Sequence, residues 1–283
     1  MSKDWKRLEA FARILSAPLQ RHVIGEAESS RLAALIDRAS CLLSRSYRLA
    51  SAIYSVFTAG CSELGYENVY VSFNGGKDSV AVLHLHRLAT LADPNAFDGA
   101  AILPFAGMKY YSTYKLLGKP LNVVFFKDPN ERLFPEISDF IQLASKTYNF
   151  TLRVIEDTWH RGIPQLPSSG KKGFVLGCRS TDFEGIQLAE LEEGSAGGVE
   201  FTRIHPILNW NYGDVWNFLR LYSLEYCPIY DAGYTSIGGT EDTIANACLR
   251  NPDGTYAPAY TLKDWSKERC GRIKPKRKAD TDG

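Results

Sequence analysis

Apolar and polar positions along this chain switch repeatedly between two periods. Val69-Tyr70-Val71-Ser72-Phe73 is a short β-branched and aromatic run and predicts a strand. From Val80 to Leu91 apolar residues recur at three- and four-residue spacing, which predicts a helix ended by Asp93-Pro94-Asn95. The alternation returns downstream, with strands at Leu121–Phe126, Thr151–Ile155 and Gly173–Leu176 and a helix over Phe134–Tyr148. A loop rich in Pro, Ser and Gly, Gly162 to Gly170, precedes the last of these strands, and the stretch Glu156–Lys172 looks short for a helix. Such alternation implies right-handed crossovers and an α/β fold, a doubly wound, mostly parallel sheet. Upstream, Leu32, Leu35, Ile36, Leu42 and Leu43 belong to a mixed three- and four-residue pattern. It predicts one or two helices over 27–60 that pack on the core, and the first 25 residues read as a peripheral helix. Residues 98–120 have no period and read as an insertion or long loop. Asn211 is a candidate N-cap, and Asp214 three residues on imitates a capping box. The expected organisation is a helical extension over 1–62, an α/β core over 63–225 and a C-terminal extension over 226–283.

Composition narrows the function. The 283 residues, 45% hydrophobic, suffice for one α/β domain with extensions. Lys and Arg number 33 against 32 Asp and Glu, so no global field for nucleic acid exists. Six scattered cysteines form no C-x-x-C pair, which disfavours metal knuckles and redox pairs and makes a reducing compartment the default. No apolar run approaches the roughly 20 residues needed to cross a bilayer. A cytoplasmic setting with small-molecule partners, no nucleic acid, no membrane, and a monomer or weak oligomer is expected. Lys3, Lys6, Arg7 and Arg13 leave a mitochondrial presequence as a weaker option, because Asp4 and Glu9 interrupt them.

The chemistry concentrates at strand ends. Asn74-Gly75-Gly76-Lys77-Asp78-Ser79 joins the first strand to its helix. Glycines let a backbone turn tightly and approach a ligand closely. Free amides and a helix N-terminus then favour a phosphate. Asp78 alone would repel that phosphate, and a divalent cation between them resolves the conflict. This is not a Walker A loop, because Val71 stands where its first glycine belongs and Asp78 follows Lys77. Gly177-Cys178-Arg179-Ser180-Thr181-Asp182 follows another strand. Arg179 offers a planar fork for phosphate oxygens, and Asp182 a second carboxylate for Mg²⁺. The plainer alternative is an Arg–Asp surface ion pair, and placement at a second strand end favours function. Trp210 and Trp216 read most simply as core anchors and His205 as structural. Tyr230–Gly239 reads as a site wall or a surface loop, and Glu268–Lys278 as a solvated basic tail.

The glycine turn resembles the SGGxDS loop of the ATP pyrophosphatases, with Asn74 its single departure. With Gly177–Asp182, Pro206–Leu219, Tyr230–Gly238 and the final Arg269-Cys270-Gly271-Arg272-Ile273, the chain resembles the eukaryotic FAD synthetases over about residues 65–275. These are members of the PAPS-reductase-like branch of that superfamily. The resemblance implies FMN adenylyltransfer from Mg-ATP. Ser72, Phe73, Asn74, Gly75, Gly76, Lys77, Ser79, Phe125, Gly177 and Arg179 would bind ATP. Asp78 and Asp182 would hold Mg²⁺, and Lys77, Asp78, Arg179 and Asp182 would carry catalysis. Asp182, Trp210, Arg269 and Arg272 would meet the flavin. Fungal members carry an acidic-plus-tryptophan segment where this chain has Glu192–Val199 without tryptophan, so its flavin wall must be built differently. Competing readings are a PAPS or adenylyl-sulfate reductase, another ATP pyrophosphatase such as a tRNA-thiolating enzyme, and a non-catalytic nucleotide-binding module. The reductase needs a Glu-Cys-Gly-Leu-His type segment, whereas Cys270-Gly271 is followed by Arg272-Ile273.

Overall fold

The computed structural model describes residues 68–92, 121–148, 150–167, 170–182 and 187–273, with Ser30, Arg31 and Ala34. The helices expected over 1–62, the 98–120 segment and the tail beyond 273 lie outside the described residues apart from those three positions.

Strands β1 (Val69–Ser72), β2 (Asn122–Phe126), β3 (Thr151–Ile155) and β4 (Lys172–Val175) run parallel. β6 (Val199–Ile204) is parallel to β4, and β5 (Leu191–Ala196) pairs antiparallel with β6. The sheet order is β3-β2-β1-β4-β6-β5. The chain therefore moves outward from β1 through β2 to β3, then returns to the other side of β1. The order reverses between β1 and β4, and such a reversal opens a crevice at the carboxyl ends of the strands.

Strand side chains alternate between two apolar clusters. Val69, Val71 and Phe73 face one cluster with α1 (Lys77–Ala92), α2 (Pro135–Thr147) and α4 (Tyr212–Leu221). Tyr70, Val124, Phe174 and Phe201 face the other. Period-two alternation with both faces covered is the signature of a buried parallel sheet. The first cluster extends without a break into Ile229, Tyr230, Leu249, Ala259 and Leu262, so the C-terminal extension shares the core of the sheet.

Two segments differ from expectation. Glu192–Val199, the stretch that stands where fungal members carry their acidic-plus-tryptophan segment, is most of a β-hairpin. Gly197 and Gly198 have φ of +55° and +80°, the pair of left-handed positions that a two-residue type I′ turn demands. The loop after β3 contains the four-residue helix α3 (Trp159–Gly162) and a 3₁₀ turn at Ile163–Gln165. Trp159 lies 4.7 Å from the Phe174 ring and 5.0 Å from the Phe126 ring, both edge-on. Tertiary burial thus supports a helix too short to hold on its own.

Candidate active site

Because β1 and β4 are parallel neighbours, the loops that leave them lie side by side. Gly75 takes φ +76°, which turns the chain so that α1 begins at Lys77, three residues before the apolar pattern starts. Lys77 and Asp78 are thereby placed in the first helical turn. Gly177 opens the neighbouring loop, and a Cβ there would stand 3.0 Å from the backbone carbon of Asp78. Its missing side chain is what lets the two loops touch. A cavity of about 350 Å³ lies over this junction. Ser72, Asn74, Gly76, Lys77, Asp78, Ser79, Gly177, Arg179, Asp182, Arg269 and Arg272 all line it.

Five charges meet at its floor. Lys77 Nζ lies 2.9 Å from Asp78 Oδ2 and 2.6 Å from Glu268 Oε1. Arg179 Nη2 lies 2.9 Å from Asp182 Oδ1 and 2.7 Å from Glu268 Oε1, and Arg179 Nε lies 3.0 Å from Asp78 Oδ1. The Lys77 and Arg179 side chains are 3% and 2% exposed, so both cations are taken almost wholly from water. Burial disfavours their charge, but Asp78 and Glu268 outweigh it and hold both firmly protonated. Two cations against three carboxylates leave one net negative charge.

The two aspartates are driven apart. Burial pushes Asp78 up, but Lys77 and Arg179 outweigh it and hold the carboxyl below its usual range. Asp182 is raised by burial and by repulsion from Asp78, against the pull of Arg179. Both Asp182 oxygens accept from Arg179, Oδ2 from its backbone N–H at 2.8 Å. At this floor three buried atoms, Asp78 Oδ1, Arg179 Nε and Arg179 Nη1, make no well-aligned hydrogen bond among the described residues; Oδ1 and Nε face each other as an ion pair at 3.0 Å. An open guanidinium nitrogen suits a phosphate oxygen. A carboxylate oxygen that accepts no hydrogen bond and meets only the Arg179 ion pair, in a cavity that also holds the Asp182 carboxylate, suits Mg²⁺, which is commonly held by one or two carboxylates plus substrate phosphates. The residues therefore fit the ion.

The turn amides are partly committed. The Gly76 N–H donates to Asn74 Oδ1 at 3.0 Å, and the Lys77 N–H donates to Tyr230 Oη at 2.8 Å. The expectation that this turn presents free amides is thus corrected at two positions. Side-chain charge does more of the work than a bare glycine turn suggests.

The last described segment is a 3₁₀ helix over Trp265–Gly271, not a solvated tail. Buried Thr235 donates to the Glu268 carbonyl at 2.6 Å, and Asn246 Nδ2 donates to Thr235 Oγ1 and the Lys267 carbonyl at 2.9 and 2.8 Å. Arg272 is held by Asp242 at 2.9 Å, with its guanidinium against Gly238. The Tyr230–Gly239 stretch is therefore a wall of this cavity, contributing Tyr230, Ser236 and Ile237.

Four residues expected to contact ligand do not line the cavity. Phe73, Phe125 and Trp210 are buried in the core, with Trp210 edge-on to Phe218 at 5.4 Å, and none lines the cavity. Gly75 shapes the turn without lining it. Glu268 was missed as a site residue, and Tyr230 was read only within a stretch that could be a site wall or a surface loop. The one sequence signal for Glu268 was an acid directly before Arg269-Cys270-Gly271-Arg272. His205 is buried, its Nδ1 2.8 Å from the Ala189 carbonyl, as a structural histidine would be.

Three comparisons bear on this arrangement. A family model described as the phosphoadenosine phosphosulfate reductase domain matches residues 165–245. The solved structure of a Candida glabrata FMN adenylyltransferase in complex with FAD and inorganic pyrophosphate superposes with a TM-score of 0.69 at 21% identity. It covers 94% of this chain and 98% of that one, and at this identity the likeness is one of fold. A probable FAD synthase of Caenorhabditis elegans is 33% identical over 213 residues, 73% of this chain but 37% of that longer protein. A probable FAD synthase of Schizosaccharomyces pombe is 33% identical over 208 residues, 73% of this chain and 72% of that protein. With one residue in three shared over most of both sequences, this chain belongs to the FAD synthase family.

Proposed function

We propose that this chain is an FMN adenylyltransferase, which converts ATP and FMN into FAD and pyrophosphate. One observation carries the reading. A single cavity at the β1/β4 reversal is lined by the buried cations Lys77 and Arg179 and also by Arg269 and Arg272. One reaction that uses two phosphate-bearing substrates needs such a pair of cationic walls. The names and ligands of the relatives support the choice of ATP and FMN.

In this reading Lys77 and Arg179 hold the ATP phosphates, Arg179 through its open Nη1. Arg269 and Arg272 receive the FMN phosphate or stack on its ring system. An FMN phosphate oxygen attacks the α-phosphorus in line. A new P–O bond forms, the bond to the bridging oxygen breaks, and its electron pair leaves with pyrophosphate. The nucleophile is already anionic at neutral pH, so no strong base is needed, and catalysis rests on position and charge. Lys77 and Arg179 stabilise the negative charge that gathers on the leaving group. Asp78 and Asp182 would hold a Mg²⁺ that neutralises phosphate charge. Cys178, the cysteine in the cavity, is a poor nucleophile. Burial, then Asp182 and Asp78, push its thiol up to about 11, which disfavours a thiolate reductase at this position.

Pyrophosphate release from ATP, measured with and without FMN, tests the reading. Release that requires FMN and matches FAD formation is expected, whereas equal release without FMN would reject it. Asp182→Asn should lower turnover about a hundredfold or more. Because the Asp182 side chain is 19% exposed and Asn keeps an acceptor for Arg179, a loss of only a few degrees in unfolding midpoint is the expected companion.

A further inference from the structure

Glu268 stands out because the chemistry above does not use it. Its side chain is 12% exposed, yet its Oε1 lies within 2.7 Å of both Lys77 Nζ and Arg179 Nη2. Both residues belong to the donor side of the cavity, on α1 and the β4 loop. Glu268 belongs to the other side, on the 3₁₀ turn that carries Arg269 and leads to Arg272. These ion pairs, at 2.6 and 2.7 Å, join the acceptor segment to the donor cations. Its carboxylate also keeps two buried like charges together. Glu268 accepts from Nη2 and Asp78 stands 3.0 Å from Nε as an ion pair, so the guanidinium is oriented with Nη1, which has neither a hydrogen bond nor an ion-pair partner among the described residues, turned away from both acids. A planar group fixed along two edges has one direction left for its remaining donors.

Resting on the reading of this cavity as the ATP and FMN site, we propose that Glu268 is a positioning residue for the transfer. It aims Lys77 and Arg179 at the donor phosphates and, through the same carboxylate, fixes the height of the acceptor segment against them. The backbone of the segment is set independently by Thr235 and Asn246, so the carboxylate tie adds alignment to a turn that is already formed. Reacting groups that drift by about 1 Å can lose on the order of a hundredfold in rate. A residue bonded to donor cations should therefore also change acceptor kinetics when altered.

The test is steady-state kinetics of the purified full chain with both substrates varied, comparing wild type, Glu268→Gln and Thr235→Val. Gln keeps the shape and removes the charge. Val removes the hydroxyl that holds the Glu268 carbonyl and leaves every charge in place. Glu268→Gln is expected to lower kcat about tenfold or more. It should raise KM for FMN roughly fivefold, a coupling of ordinary size between adjoining sites. Thr235→Val should raise KM for FMN in the same direction by a smaller factor. A purely structural role would reduce the folded fraction and leave the constants of the folded enzyme within about twofold. That result in Glu268→Gln overturns the proposal. If Glu268→Gln does not fold, Thr235→Val decides, and an unchanged KM for FMN overturns it. FAD formation by wild type with no kinetic change in either variant removes the Glu268 role alone. No FAD formation by folded wild type removes the function on which it rests, and the proposal with it.

Discussion

At the scale of single residues, the site is built by atoms that are absent as much as by those present. A Cβ on Gly238 would fall within 2.7 Å of the Arg272 guanidinium, in conflict with the end of a flexible side chain and not with backbone. Gly238→Ala should therefore fold almost normally, within about 1 kcal/mol. Arg272 would have to leave its place beside Asp242, and KM for FMN should rise while KM for ATP stays near wild type. Equal changes in both would show that Arg272 does not serve the acceptor. Lys77, Asp78, Arg179 and Asp182 were readable from sequence because their residue types, beside glycines at strand ends, have few other uses. Glu268 was not, since one acid within a basic stretch reads as surface until the fold brings it between Lys77 and Arg179. Phe125 and Trp210 were placed at the site only by the resemblance, and both lie in the core, as the plainer reading of Trp210 as a core anchor expected.

At the scale of elements, local signals succeeded where the chemistry is local. Asn211 accepts from the Asp214 N–H at 2.9 Å, and Asp214 accepts from the Asn211 N–H at 2.8 Å. This is the reciprocal capping box that the spacing suggested. Asp214 also pairs with Arg31 at 2.9 Å, so the cap anchors an upstream residue as well. Asn211→Ala should cost about 1 kcal/mol by chemical denaturation, and a loss below the error of that measurement would mean the cap contributes nothing. The β5–β6 hairpin and α3 escaped notice for different reasons. Gly197-Gly198 is a turn signal, but the strand before it, Leu191–Ala196, is polar and exposed at every second residue because it forms the antiparallel edge. α3 exists because Trp159 finds Phe174 and Phe126, and no four-residue window encodes that.

At the scale of the whole molecule, the reversal of strand order between β1 and β4 makes one site out of segments a hundred residues apart. The same compaction creates a pH liability on α1. His86 is 1% exposed, and burial lowers its pKa from 6.5 to about 3. Its folded value lies below its unfolded value, so the unfolded chain takes the proton first and stability is lost as pH falls through 6.5. Between pH 8 and pH 5 this group alone should remove about 2 kcal/mol. Replacing His86 with Leu should flatten that part of the stability–pH curve, and a curve unchanged in slope would mean that His86 does not titrate there. What the sequence alone determined is the α/β alternation, the phosphate turn and the identity of the charges, because period, turn chemistry and side-chain type are local properties. What only the tertiary structure decided is which charges share a cavity, which turn amides are already occupied, and that an acid from the last turn ties the two halves of the site together. Those depend on strand order and on close approach at Gly177 and Gly238, which arise only when distant segments are packed.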